Sequence, residues 1–484
     1  MERVDEGLVI LVVGAVLAAS VFAAFGAART GLPVLVAFLG IGMFMGSDGP
    51  GGIAFDDAEL TRRIGTVGLA LILFEGGLQT SWRRLREVAV PAALLSTVGV
   101  VVSTLVTAVA AHLLFTLTWL EAALLGAVVA STDAAAVFST LRATNIRRRL
   151  ARTLEAESGG NDPMAIALTL GLIAWIEHPA GHGFLDLTVL VIRQLGLGLV
   201  VGLALAYVAT RIFARIPDAV AAFVPVASLA AAALSFGAAA VLGGSGFLAV
   251  YIVGLAVGST PSRYRQQLAA FHEGVAFLAQ VVLFVVLGLL VFPRDLPAVA
   301  LPGIGLAAAL IFIARPAAVW ASTALLSFTR RERVLLGWAG LRGAAPIVLA
   351  TFALTSTVEH RETIFNGVFF VVIVSALLQG TTLEQLATRL RLVSSWKPET
   401  VVAIPPEYVV IEFAVEGNHA INGSAVRELG LPRDALVAWV TRGGNPIPPR
   451  GSTVVEAGDR LSVITPRHRS PDLEDVLSRW RRLI

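Results

Sequence analysis

The chain has 484 residues, of which 56% are hydrophobic and only 15% are charged, whereas soluble domains usually carry about a quarter charged residues. It contains no cysteine, which excludes disulfides and thiolate metal sites. Its net charge of +3 comes from arginines scattered between apolar runs, so the composition favours a membrane protein over a nucleic-acid-binding protein.

Apolar runs long enough to cross about 30 Å of hydrocarbon recur from Gly7 to about Leu390. The acidic segment Met1 to Glu6 fits a cleavable signal poorly, so the first run is interpreted as a span. We predict thirteen transmembrane helices, at residues 7–26, 31–47, 61–80, 88–111, 118–140, 149–176, 188–213, 219–242, 246–259, 266–292, 300–327, 333–356 and 363–388.

Every second loop between these runs is basic, and the intervening loops are nearly bare of Lys and Arg. Cytoplasmic loops collect Lys and Arg. The alternation, with an odd number of spans, therefore predicts an N-terminus outside the cell and a cytoplasmic C-terminus. The basic residues on the predicted cytoplasmic side are Arg29, Arg83, Arg84, Arg86, Arg142, Arg147, Arg148, Arg149, Arg152, Arg211, Arg215, Arg263, Arg265, Arg330, Arg331 and Arg333.

The character of the chain changes after residue 391. We predict a transmembrane domain at 1–391, a proline-containing linker at 392–406 and a small cytosolic α+β domain at 407–484. Within the last, alternation and turn residues predict four strands and a closing amphipathic helix. The strands are Tyr408–Val415, Ala435–Val440, Ser452–Glu456 and Arg460–Ile464, a turn follows at 443–446, and the helix is Asp472–Leu483.

The fifth span carries a carboxylate, Asp133, among small residues from Val128 to Val137. A charge at mid-bilayer costs several kcal/mol and is by default a functional candidate. If the helix breaks there, freed carbonyls and the ends of the half-helices surround Asp133 and can coordinate a cation. The alternative is a polar contact that holds two helices together.

The sixth span begins with Glu157-Ser158-Gly159-Gly160-Asn161-Asp162-Pro163. Ser158 and Asp162 share one helical face, whereas Glu157 points about 140° away from Asp162. Pro163 lacks an amide and is expected to loosen the helix beside Asp162. We predict that Asp162 takes either a proton or a cation. Because the preceding Asn161 is neutral, one exchangeable carboxylate remains, which indicates one cation traded per proton.

The twelfth span contains Leu341-Arg342-Gly343-Ala344-Ala345-Pro346, a second break with a buried cation. An unpaired arginine there is very unfavourable, so we predict a structural ion pair between Glu157 and Arg342. A role for Arg342 as a gate in the ion path is the alternative.

Other polar residues in the spans are weaker candidates. Glu75 ends the third span and is either a further carboxylate ligand or an interfacial acid facing solvent. Arg315 before Pro316 is interpreted as a snorkelling charge at a kink, and Gln280 and Ser245 as packing and turn residues. The histidines show no metal-ligand spacing.

The two discontinuities lie in spans five and twelve, seven spans apart. This spacing predicts two six-helix units joined by span seven, with the second unit inverted in the bilayer. Inverted repeats with broken helices that meet at mid-membrane are typical of transporters. The predicted fold class is therefore an all-α polytopic membrane protein with thirteen transmembrane helices, two inverted six-helix repeats with broken crossing helices, and a small α+β cytosolic domain.

At these residues the sequence resembles the sodium/proton antiporter family of bacterial cation:proton antiporters. The matching motifs are 74–78, 131–133, 157–163 and 340–346, in this order over about 390 residues. The resemblance implies a homodimer, and it implies Thr132, Asp133, Ser158 and Asp162 as ligands of the monovalent cation, with Glu75 as an accessory group. It also implies that Asn161 before the aspartate marks the electroneutral branch.

Residues 403–466 resemble the C-terminal subdomain of the regulator-of-potassium-conductance module, at 422–432 and 449–459. The resemblance implies regulation by a cyclic dinucleotide or other nucleotide, and potassium rather than sodium as the cation exchanged for H+. No cofactor, enzyme activity or nucleic-acid partner is expected. A ligand-gated cation channel is the alternative function, although no Thr-Val-Gly-Tyr-Gly filter occurs.

Overall fold

The computed structural model describes residues 6–30, 33–141, 146–181, 183–260, 262, 264–393, 408–443, 445–466 and 470–481. It divides into two compact units, at Met1–Ser395 and Trp396–Ile484. Leu392 and Val393 of the predicted linker belong to the first unit, where the Arg147 amide donates to the Leu392 carbonyl at 3.0 Å. The rest of that linker lies outside the described residues.

The regular elements of the first unit, in its described residues, are helices joined by loops. Each of the thirteen apolar segments coincides with one helix or with consecutive helices. The helices are α1 (Glu6–Thr30), α2 (Val34–Met45), α3 (Ala58–Gln79), α4 (Trp82–Leu85), α5 (Ala89–Leu94), α6 (Val100–Leu114), α7 (Trp119–Val128), α8 (Ala134–Thr140), α9 (Arg148–Glu177), α10 (Phe184–Phe213), α11 (Val224–Val241), α12 (Gly246–Ser259), α13 (Arg265–Leu290), α14 (Leu296–Ala309), α15 (Arg315–Thr323), α16 (Arg330–Trp338), α17 (Ala344–Leu354) and α18 (Arg361–Arg389).

Among the described residues, seven helical stretches are long and apolar enough to cross a membrane by length and composition. Four shorter apolar helices, α2, α7, α12 and α17, accompany them. Large apolar side chains point outward from the unit: Phe22, Leu185 and Leu301 are exposed. Such a surface is stable in lipid and unfavourable in water.

The same sequence of local features occurs twice in the first unit. A π-helical turn, Leu95–Gly99, precedes α6, and another, Leu310–Ala314, precedes α15. The next helix along the chain, α7 after α6 and α16 after α15, begins with a capping box. Thr118 and Glu121 cap α7, and Thr329 and Glu332 cap α16. A reciprocal threonine–glutamate cap satisfies two otherwise unpaired amides and fixes where a helix starts. Each of these two helices then ends early, at Val128 and Trp338.

The second unit is a four-stranded antiparallel sheet with one α-helix in its described residues. The strand order is β1-β4-β2-β3, and the helix packs its apolar face against the sheet. The elements are β1 (Tyr408–Ala414), β2 (Leu436–Arg442), β3 (Asn445–Ile447), β4 (Arg460–Pro466) and α19 (Ser470–Trp480). The predicted strand at 452–456 is wrong, because this segment makes only an isolated bridge, between Ala425 and Val454. The fourth strand is instead β3, which begins within the predicted turn, at Asn445.

An ion pair holds the loop before β4. The Arg442 guanidinium donates from Nε to Asp459 Oδ1 and from Nη2 to Asp459 Oδ2, both at 2.8 Å. These hydrogen bonds hold the pKa of Asp459 below its usual range. The bidentate geometry joins the end of β2 to the turn that starts β4.

Candidate ion-binding site

Two broken helices meet in the first unit. Between α7 and α8 the chain is not helical from Val129 to Asp133, and between α16 and α17 it is not helical from Ala339 to Gly343. The Asp133 amide donates to the Leu341 carbonyl at 2.8 Å, which joins the two breaks directly. The helix break predicted at Asp133 is therefore confirmed. The backbone groups released there are available for other partners.

The Asp133 carboxylate begins α8. Its Oδ1 accepts a hydrogen bond from the Ala136 amide at 3.1 Å, so Asp133 is the N-cap of that half-helix. Gly343 of the other break faces this side chain so closely that an added Cβ would lie 1.8 Å from Asp133 Oδ2. Only a glycine allows the two broken segments to approach this closely.

Helix α9 brings the predicted serine and asparagine against the first break. Ser158 Oγ donates to the Thr132 carbonyl at 2.9 Å and accepts from the Ala134 amide at 3.2 Å. Asn161 Nδ2 donates to Thr132 Oγ1 at 2.6 Å. The helix continues through Pro163 without interruption, so the unwound backbone at this site comes from the breaks and not from α9.

Three buried oxygens at this place have no hydrogen-bond partner among the described residues. They are Asp162 Oδ1, Asn161 Oδ1 and Ser131 Oγ. An unpaired buried carboxylate oxygen is costly unless a proton or a cation is bound to it. Oxygen atoms of this kind are the ligands that hard cations prefer. Ser131 was not predicted as a site residue, although its hydroxyl in the broken segment beside Thr132 was a usable signal.

A cavity of about 430 Å³ brings most of the predicted site residues together. Asp162, Asp133, Thr132, Ser158 and Glu75 all line it, whereas Asn161 is not among its lining residues. Gln79 Nε2 donates to the Glu75 carboxylate from one turn along α3. Glu75 is half-buried and lines the same cavity as Asp133 and Asp162.

The predicted ion pair between Glu157 and Arg342 is wrong. Glu157 pairs with Arg315: Nη2 donates to Oε2 at 2.9 Å, and Nη1 donates to Oε1. Both side chains are almost completely buried. The physical reason is the direction that Glu157 takes from α9, about 140° from Asp162 and toward α15. Arg315, interpreted from sequence as a snorkelling charge, is an internal partner of this acid.

Arg342 instead donates hydrogen bonds to backbone carbonyls at the first break, between α7 and α8. Its Nη1 donates to the Ala130 carbonyl at 2.7 Å and to the Ser131 carbonyl. These carbonyls follow the C-terminal end of α7, where a positive charge is favourable. Arg315 does the same for the other broken helix, since its Nη2 also donates to the Leu336 carbonyl at 3.2 Å. Each arginine therefore stabilises the end of one short helix.

Comparisons with known proteins show the family to which the chain belongs. The family model for the sodium/hydrogen exchanger, transmembrane, matches residues 15–389, and the model for the TrkA-C domain matches residues 410–478. A protein of Shewanella sp. (strain ANA-3), the K(+)/H(+) antiporter NhaP2, is 39% identical over 461 residues, which are 93% of this chain and 80% of that protein. The K(+)/H(+) antiporter NhaP of Alkalimonas amylolytica is 37% identical over 493 residues, covering 99% of this chain and 84% of that protein.

A solved structure has the same helical fold. The sodium proton antiporter MjNhaP1 from Methanocaldococcus jannaschii at pH 8 superposes with a TM-score of 0.69 at 23% identity, covering 79% of this chain and 99% of that one. The family match spans most of the chain, and the relatives are transporters and not enzymes. The chain belongs to the sodium/hydrogen exchanger family and is a membrane cation:proton antiporter with a C-terminal TrkA-C domain.

Proposed function

We propose that this protein exchanges one monovalent cation, potassium in preference to sodium, for one proton at Asp162. The observation that carries the proposal is the Asp162 Oδ1 atom, which is buried in the cavity without a hydrogen-bond partner among the described residues. A single carboxylate cannot hold a proton and a cation at once. Competition for this oxygen therefore couples the two fluxes without a cofactor.

The ligands proposed for the cation are Asp162, Asp133, Thr132 and Ser158, with Glu75 as an accessory group. All five line the cavity. Asn161 takes a supporting role, because its amide nitrogen holds the Thr132 hydroxyl. The preference for potassium rests on the relatives from Shewanella and Alkalimonas, both named K(+)/H(+) antiporters.

A one-for-one, electroneutral exchange is supported by the neutral Asn161 beside Asp162. The other two acids of the site already accept hydrogen bonds, Asp133 from the Ala136 amide as the N-cap of α8 and Glu75 from the Gln79 side chain. The exchanged proton is thus assigned to Asp162 alone. Each monovalent cation that binds there displaces one proton, so no net charge crosses the membrane.

The proposed transport cycle is alternating access. The cavity lies between two groups of helices: α3, α12 and α13 contribute Glu75, Tyr251 and Gln280, while α9 and the breaks contribute the ligands. Helices α3 and α12 are in close backbone contact, since a Cβ on Gly254 would lie 2.4 Å from the Phe74 carbonyl oxygen. A shift of α9 and the broken helices past this tightly packed pair would expose Asp162 to each side in turn.

Thirteen membrane crossings and two inverted six-helix repeats belong to the same proposal. The repeated order of π-helical turn, capping box and broken helix supports it.

We further propose a homodimer in a bacterial inner membrane, with the N-terminus outside. The cytosolic domain, from about residue 407, would regulate exchange on binding a cyclic dinucleotide or other nucleotide.

Purified protein in proteoliposomes tests the exchange. A potassium gradient should drive proton movement in the opposite direction, and Asp162→Asn should abolish it. Asp295→Asn, at an exposed position outside the cavity, is the matched control and should exchange like the wild type. Electroneutral exchange should also be insensitive to an imposed membrane potential. Exchange that survives in Asp162→Asn would contradict the proposal.

A further inference from the structure

The cavity contains a second polar group of residues at some distance from Asp162. Glu155, Thr80 and Tyr251 all line it, together with Arg84. Glu155 and Asp162 are seven residues apart on the continuous helix α9, so they lie on one face, separated by about 10 Å along its axis. The cavity therefore follows one side of α9 from the first carboxylate to the second.

Tyr251 of α12 lies against this face between the two acids. Its ring contacts Gly159 so closely that an added Cβ there would lie 2.2 Å from Tyr251 Cζ. Tyr251 is only 7% exposed, yet its hydroxyl has no hydrogen-bond partner among the described residues. A buried phenol oxygen usually has a partner. An oxygen of this kind on a cavity wall indicates a ligand that binds there.

Thr80 adds a second hydroxyl. Its Oγ1 lies 3.2 Å from Glu155 Oε1 and 2.8 Å from the Gly76 carbonyl oxygen. A hydroxyl has one proton and two lone pairs, so it can donate to only one of these oxygens and still offer a lone pair to a cation. The three side chains together present a carboxylate and two neutral oxygens.

The charges around this group limit what it can bind. No arginine lies within ion-pair distance of Glu155 in the described part of the chain, and Arg152 instead pairs with Glu87. Arg84 lines the same cavity, and its charge repels a divalent ion twice as strongly as a monovalent one. A monovalent cation therefore fits the local charge better than a divalent ion or an anion.

We propose that Glu155, Thr80 and Tyr251 form a second cation site, at which the transported ion binds before it moves along α9 to Asp162. This inference rests on the proposed exchange at Asp162. The carboxylate of Glu155 attracts the ion into the cavity, and the two hydroxyls replace part of its water shell. The ion then passes Ser158 and Gly159, which lie between the two acids on the same face of α9.

The test is potassium-dependent exchange in proteoliposomes, with rate measured against potassium concentration. Glu155→Gln should raise the apparent KM for potassium about ten-fold at a nearly unchanged maximal rate, because a charged ligand is replaced by a neutral one of equal size. Tyr251→Phe should raise it about two- to three-fold. This variant removes a hydroxyl without a partner, and so it tests the site even if Glu155→Gln fails to fold.

Glu87→Gln is the matched control, since it removes an acid that pairs with Arg152 and does not line the cavity. Its KM should stay within two-fold of the wild-type value. A KM for Glu155→Gln or for Tyr251→Phe that is the same as that of this control would overturn the second site. Such a result leaves exchange at Asp162 intact, whereas exchange that survives Asp162→Asn would instead remove the proposed function itself.

Discussion

Single residues in the centre of the first unit have buried charges with specific partners. Glu157 accepts two hydrogen bonds from Arg315, and Ser96 Oγ donates to the Glu157 carbonyl at 2.9 Å. Arg342 instead donates to carbonyls of the first break. A side-chain ion pair therefore links Glu157 of α9 to Arg315 of α15, whereas Asp162 Oδ1 has no hydrogen-bond partner among the described residues.

The Glu157–Arg315 pair should dominate the stability of this region. Removal of one partner of a buried ion pair leaves an uncompensated charge, at a cost of about 3–5 kcal/mol. We expect Glu157→Gln and Arg315→Gln each to lower the thermal unfolding temperature in detergent strongly. The double variant should be more stable than the sum of the two losses predicts, with a coupling of at least about 1 kcal/mol.

The matched comparison is a double-mutant cycle of Glu157→Gln with Arg342→Gln, because the Glu157 and Arg342 side chains do not hydrogen-bond to each other in the structure. Its coupling should be smaller than that of the Arg315 cycle. If the larger coupling is found with Arg342, the pairing in the structure is not the one that stabilises the protein.

At the scale of elements, the site depends on two short helices that end before they cross the unit. Helices α7 and α16 begin with the same kind of capping box and end early, at Val128 and Trp338. Their broken segments meet at the hydrogen bond from the Asp133 amide to the Leu341 carbonyl. Helix α9 then adds Ser158 and Asp162 from one face. The breaks supply backbone groups, and the unbroken helix supplies Asp162, the carboxylate at which we propose exchange.

A substitution at Gly343 tests whether the two broken segments have to lie this close together. In Gly343→Ala the new Cβ would lie 1.8 Å from Asp133 Oδ2 and 2.6 Å from Asp133 Cβ, so the Asp133 side chain or one broken segment has to move. A displacement of about 1 Å at a ligand is enough to lower potassium-driven exchange ten-fold or more. We expect this loss in proteoliposomes, with the protein still folded.

The control is Gly274→Ala on α13, where nothing lies within 4 Å of an added Cβ. This variant should exchange at the wild-type rate. Equal rates for the two alanine variants would mean that the close contact at Gly343 is not required.

The whole molecule joins a membrane unit to a separate antiparallel sheet domain. The sheet domain has its own core, which includes Phe413, Val440, Leu461 and Trp480. The site residues all belong to the first unit. The exchange that we propose at Asp162 therefore uses side chains of the first unit, and the role that we propose for the sheet domain is regulation.

Truncation after Ser395 separates these roles. The shortened chain should still exchange potassium for protons in proteoliposomes, at a rate within about two- to three-fold of the full chain, because it retains every residue that lines the cavity. Its response to added cyclic dinucleotides or to pH should differ from that of the full chain. Identical responses would contradict a regulatory role for the domain.

The sequence by itself determined the class of protein and picked out residues that line one cavity in the structure, among them Asp133 and Asp162. Apolar runs predicted where helices form, and small residues around Asp133 and Arg342 predicted the breaks, because helix propensity and hydropathy depend on nearby residues. Helical spacing correctly predicted that the Glu157 and Asp162 side chains leave the helix in different directions. These inferences succeeded because each depends on a short stretch of chain.

Only the tertiary structure decided which charges meet. Arg315 and Arg342 both lie in apolar spans, and the rule that a buried arginine needs an acid applies equally to both. The choice of Arg315 for Glu157 depends on the tertiary fold, which brings the Arg315 side chain of α15 to the Glu157 side chain of α9. The closeness of Gly343 to Asp133 and the position of Tyr251 over Gly159 likewise depend on helices distant in sequence, which local patterns do not encode.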